Sequence, residues 1–75
     1  MEILDCIGIP EYFVTVIGKV ESAGGGCVRV YACAEHGGVL VPIYCTVMPA
    51  LKMVAATRQV QEAVRELFKE GEAVH

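Results

Sequence analysis

The sequence predicts an α+β fold: a three-stranded antiparallel meander followed by one C-terminal helix packed on one face. Three observations carry this. Apolar residues alternate with period two through residues 13–48. Two glycine-containing segments, Ser22–Gly26 and Gly37-Gly38, break the alternation where hairpins belong. Pro49 then opens a stretch in which apolar residues recur at helical spacing.

In the first strand, Val14, Val16, Gly18 and Val20 share one face, and Phe13, Thr15, Ile17 and Lys19 the other. In the second, Val28, Val30, Ala32 and Ala34 oppose Cys27, Arg29, Tyr31, Cys33 and Glu35. In the third, Val41, Ile43, Cys45 and Val47 oppose Leu40, Pro42, Tyr44, Thr46 and Met48. Each strand thus has a face of small and β-branched residues and a face of aromatic and mixed ones.

The turns set the register. Gly37-Gly38 is a two-residue hairpin signal, because glycine accepts the positive φ of primed turns. It pairs His36 with Val39, Ala34 with Val41, Ala32 with Ile43 and Val30 with Cys45, and places Tyr31 opposite Tyr44. Pro42 then faces Cys33 at a non-hydrogen-bonded position, which proline tolerates where the third strand is a sheet edge. Ser22–Gly26 reads as a flexible loop; pairing Val20 with Val28 keeps the faces consistent and sets Ile17 opposite Tyr31.

The helix is expected over residues 49–70, with Gly71 just past its end. Met53, Thr57, Val60, Val64, Leu67 and Phe68 form its apolar stripe, flanked by Ala56 and Ala63. Arg58, Glu62, Arg65, Glu66 and Lys69 lie opposite, as on a solvated face. Residues 1–10 carry Ile3, Leu4, Ile7 and Ile9 before Pro10. They are open to three readings: a fourth strand beside the first, an arm over the second sheet face, or a strand exchanged with a neighbouring chain.

Seventy-five residues suffice for one small domain, residues 1–75: arm 1–10, sheet 11–48, helix 49–70. Such a chain buries only about 60% of its unfolded surface and is marginal alone. Here 55% of residues are hydrophobic and only 20% charged, so apolar area must be hidden, and association hides it. One helix covers one sheet face. The other is expected to carry Phe13, Ile17, Tyr31, Leu40, Tyr44 and Met48 as an interface or binding face. Such a patch, on the order of several hundred Å2, exceeds what soluble monomers usually expose. The expected partner is a second copy of the chain, with a dimer favoured.

Composition excludes several functions. A net charge of −3 argues against a nucleic-acid footprint and a polybasic membrane contact. The longest apolar run, Val39 to Met48, is half a membrane span and contains Pro42. The opening Met1-Glu2-Ile3-Leu4-Asp5 lacks the basic region of a signal peptide, so the expected compartment is the cytoplasm and Cys6, Cys27, Cys33 and Cys45 are expected as free thiols.

No chemistry assembles from these residues. Cys27 and Cys33 lie six residues apart on one strand, about 20 Å, and Cys33 and His36 point to opposite faces, so neither a metal site nor a Cys-His nucleophile pair is expected. The same direction leaves no nucleophile, base and oxyanion donor together, so no catalytic residue and no cofactor is expected. Ala23-Gly24-Gly25-Gly26 lacks the Lys-Ser/Thr ending of a phosphate loop and leads into a strand. The expected role is a small self-associating interaction or regulatory domain. The alternative is a small-ligand or single-strand binding module, in which Tyr31, Tyr44 and Phe13 stack bases beside Lys19 and Arg29.

Overall fold

The computed structural model describes residues 2–69. Three antiparallel strands, β1 (Val16–Gly24), β2 (Cys27–His36) and β3 (Val39–Pro49), form one open sheet in the order β1-β2-β3. The helix α1 (Ala50–Leu67) follows β3 directly. This is the expected α+β meander.

The second hairpin forms as its glycines dictate. Gly37 and Gly38 adopt φ of 57° and 80°, both in the left-handed region that a two-residue primed turn requires. His36 pairs with Val39, Ala34 with Val41 and Cys33 with Pro42, as expected. Beyond Pro42 the register slips by one. Ala32 pairs with Tyr44, not Ile43, and Val30 with Thr46, not Cys45. Ile43 is the extra residue of a β-bulge, and a one-residue slip sends every later side chain of β3 to the opposite face.

The first hairpin also differs. Ser22, Ala23 and Gly24 belong to β1, so the connection shrinks to Gly25-Gly26. Ala23 is an extra residue between Ser22 and Gly24, so Val20 pairs with Val30, not Val28, and Lys19, not Ile17, sits opposite Tyr31. A further irregularity falls between Ile17 and Lys19, where Gly18 is the extra residue; Ile17 pairs with Ala32 and Val16 with Cys33. A methyl built on Gly18 would lie 2.6 Å from Cys33 Sγ. Glycine is thus required here by close approach, since Cys33 is buried beneath it.

The helix has Pro49 as N-cap (φ −56°, ψ 139°) and ends at Leu67, where Phe68 leaves the helical region and donates its N–H to Val64 O at 3.1 Å. It stops short of residue 70; Gly71, expected to terminate it, lies outside the described residues. The first half of its apolar stripe, Met53 to Val60, faces the sheet, yet no helix residue is buried. Val64, Leu67 and Phe68 remain exposed.

Residues 2–15 form no strand and do not cover the second face. A turn is closed by Ile9 N–H to Cys6 O (3.3 Å) and by Asp5 Oδ1, which accepts from Ile7 N–H (3.0 Å). Ile3, Leu4, Ile7 and Ile9 stay exposed. The segment is tied to the sheet by Thr15 N–H donating to Cys33 O at 2.9 Å. The Tyr12 ring lies 5.6 Å from that of Tyr44.

The core is small. Among the described residues only Ala32, Cys33 and Ala34, in the middle of the central strand, are buried. The accessible surface is 6624 Å2, whereas a compact chain of 8.1 kDa exposes about 4,500 Å2.

Candidate interaction groove

The bulges at Gly18 and Ile43 redistribute the residues expected to share one face. Ile17, Tyr44 and Met48 lie on the helix side of the sheet, where they line an open groove with Val30, Ala32 and Thr46. Met53, Ala56, Thr57, Val60 and Gln61 of α1 form its other wall. Tyr31 and Leu40 stay on the opposite face, opposed to Cys45 and Glu35 respectively. Phe13 precedes β1 and is exposed. The six therefore do not form one contiguous patch. The difference has a single physical source: one extra backbone residue inverts the alternation downstream of it.

The groove has a volume of about 500 Å3 and is predominantly apolar. Its floor comes from the small residues of β2, because Val30 and Ala32 leave space above the sheet. Its walls come from both flanking strands and from the first three turns of α1. Thr46, Thr57 and Gln61 are its polar rim residues. The Thr57 hydroxyl is already committed, donating to Met53 O at 3.0 Å. The surface left over suits apolar side chains.

The opposite face is polar in its β1-β2 half. Glu21 Oε1 accepts from Tyr31 Oη at 2.9 Å and from Arg29 Nη1 at 3.1 Å, while Lys19 Nζ lies 3.1 Å from Glu21 Oε2. Cross-strand pairing of Lys19 with Tyr31 and Glu21 with Arg29 places all four together. The Lys19 bond, followed by those from Tyr31 and Arg29, lowers the Glu21 carboxyl to about 2. The hydrogen bond to Glu21 raises both the Tyr31 phenol and the Arg29 guanidinium above their ordinary values. Sequence reasoning missed this cluster; the signal was Glu21 two residues past Lys19, hidden by the loop assigned to Ser22–Gly26.

The cluster bears on base stacking. Tyr31 and Tyr44 sit on opposite faces, and the two cations beside Tyr31 are both engaged by one carboxylate. A platform of paired rings flanked by free cations is therefore not what this sheet presents.

The four cysteines are unpaired. Among the described residues no three His, Cys, Asp or Glu side chains converge on one point. No helix among the described residues is long and apolar enough to cross a membrane. No protein-family model, no curated protein and no solved structure matches this chain.

Proposed function

We propose that this chain is a small self-associating interaction domain whose fold is completed by a second copy. The observation that carries the reading is the mismatch between core and surface. Among the described residues one chain buries three small side chains and no large one, while it exposes about 2,100 Å2 more than a compact chain of its mass. Folding must offset roughly 1–2 kcal/mol of backbone entropy per residue, and three small residues do not supply that. An interface does, and a standard one buries only about 800 Å2 per partner.

Covering the area from within the chain is disfavoured by the arm, whose isoleucines and leucine point to solvent. A cytoplasmic setting fits the unpaired thiols, two of which, Cys6 and Cys45, are exposed.

The test is solution mass by light scattering after size exclusion under reducing conditions. The expected result is twice the 8.1 kDa of one chain, or a higher multiple. A wild-type monomer at micromolar concentration overturns the reading.

A second reading rests on the groove's size, which lies within the roughly 300–1,000 Å3 usual for small-molecule sites. In it, an elongated apolar ligand fills the space between sheet and helix. It gains if the chain is monomeric and Tyr44→Asp abolishes binding of a fluorescent apolar probe without changing the mass.

A further inference from the structure

The two edges of the sheet are built differently. β1 is protected in the ways that edge strands usually are: it carries Lys19 and Glu21, and it is irregular at two places, between Ile17 and Lys19 and between Ser22 and Gly24. β3 spans eleven residues, Val39–Pro49, without one charged side chain, and its bulge at Ile43 and its prolines, Pro42 and Pro49, leave Cys45 to Val47 regular. Among the described residues, nothing pairs with its free edge.

The phase of β3 is fixed by one bond. Ala50 N–H donates to Gly26 O at 2.9 Å, so Ala50 is turned toward the central strand. Strand alternation then turns Met48, Thr46 and Tyr44 inward, and turns the backbone groups of Pro49, Val47 and Cys45 outward. Pro42 also has its nitrogen outward, as its position opposite Cys33 requires. Both prolines of β3 thus lie on the free edge, one at each end of a short window. Inside that window Cys45 and Val47 present two outward N–H groups and two outward carbonyls. A strand edge left this way is a template for another strand.

We propose that the free edge of β3 pairs antiparallel with the same edge of a second copy, across Cys45 to Val47, to give a continuous six-stranded sheet. This rests on the self-association reading above and specifies its contact. The contact is isologous, so one two-fold axis normal to the sheet relates the copies and closes the assembly as a dimer. That axis keeps both α1 helices and both grooves on one face. Pro42 and Pro49 limit the pairing to the central window, which defines a register and blocks extension along the strand. The bordering side chains on the groove-free face, Cys45 and Val47, are uncharged, so two copies meet there without like-charge repulsion.

The experiment uses the full chain. Amide hydrogen exchange by NMR is measured first. The Cys45 and Val47 amides point away from β2, so in the dimer they are expected to be protected at least 100-fold, like those of Thr46 and Met48. Free exchange of both amides in a sample of dimeric mass overturns the edge pairing while leaving self-association standing. A monomeric wild type overturns both. Val47→Pro then removes one outward donor without touching a bond to β2. It is expected to halve the mass while keeping the circular dichroism of the wild type. A folded Val47→Pro chain that remains dimeric, with the Cys45 amide still protected, overturns the proposal. Should Val47→Pro fail to fold, Val47→Lys leaves the backbone donor in place and adds a charge to the edge. It is expected to weaken dimerisation at least tenfold, and a folded dimer of unchanged affinity overturns the proposal.

Discussion

Gly18→Ala is the substitution that most directly probes how the sheet is assembled. The added methyl would lie 2.6 Å from Cys33 Sγ, 3.6 Å from Cys33 Cβ and 3.7 Å from Leu40 Cδ1. The last two are ordinary van der Waals contacts, so the whole conflict lies with one sulfur atom. Cys33 is only 3% exposed, in the middle of the central strand, and has little room to turn away. Inserting a methyl into such a site costs about 1–3 kcal/mol. Gly18 is not in the left-handed region, so the backbone adds no conformational penalty of its own. For a domain of this size each kcal/mol lowers Tm by about 4–8 °C.

The assay is thermal and urea unfolding at one fixed protein concentration, since association shifts apparent stability by mass action. A double-mutant cycle with Cys33→Ala isolates the contact. In the Cys33→Ala background the methyl enters vacated space, and Gly18→Ala is expected to be neutral or stabilising, because glycine inside a strand is itself costly by roughly 0.5–1 kcal/mol. Equal destabilisation in both backgrounds would refute the close-approach argument and place the requirement for glycine in the backbone.

Two further outcomes test the turn and the polar cluster. Gly38→Val is expected to destabilise the second hairpin by about 1–2 kcal/mol, because φ of 80° is strained for a β-branched residue even though nothing lies within 4 Å of its Cβ; an unchanged melting temperature rejects the primed turn. Glu21 has a folded value lowered from 4.5 to about 2, so the unfolded chain binds more protons between those limits. Its contribution is then fully present above about pH 4.5 and is lost as pH falls toward 2. Urea titrations should show wild type and Glu21→Gln converging over that window, and a gap that stays constant from about pH 6 to about pH 2 removes the cluster from the account. In the same variant the Tyr31 phenol, raised chiefly by its bond to Glu21, should titrate closer to its ordinary 10.0 by near-ultraviolet absorbance.

Element type and order were legible in the sequence because each rests on a strong local signal. Two glycines at the second hairpin, alternation in the strands and Pro49 at the helix start each permit few alternatives. The helix stripe was legible for the same reason, and its first half, Met53 to Gln61, does face the sheet. Its second half was expected to pack as well. It does not: Val64, Leu67 and Phe68 stay outside the groove and are exposed.

The assignment of faces was less legible, since it compounds along a strand. A period-two pattern fixes relative orientation only while the count of residues between partners stays even. Ile43 and Gly18 each add one, and each addition reverses the faces of the strand residues beyond it. Both positions carry a sequence signal that has two meanings. Gly18 is an isolated glycine within a strand, which marks a bulge as readily as a gap in a face. Pro42 is a strand proline, which is confined to edges or to bulges; here it sits on an edge and next to a bulge at once.

Once those two residues are counted, the redistribution comes from the chain itself. Tyr44, Thr46 and Met48 must join Val30 and Ala32, while Tyr31 keeps Lys19, Glu21 and Arg29 on its own face. The sheet then has one apolar side, under the helix, and one side that is polar toward β1 and uncharged toward β3. The apolar surplus of the sheet therefore lies in the groove and along β3, beside the exposed residues of the N-terminal segment and of the helix. A partner that covered the groove-free face would have to desolvate the Glu21 cluster, whereas one that joined the β3 edge would leave it in water. Charge placement and backbone phase thus favour the same edge for independent reasons.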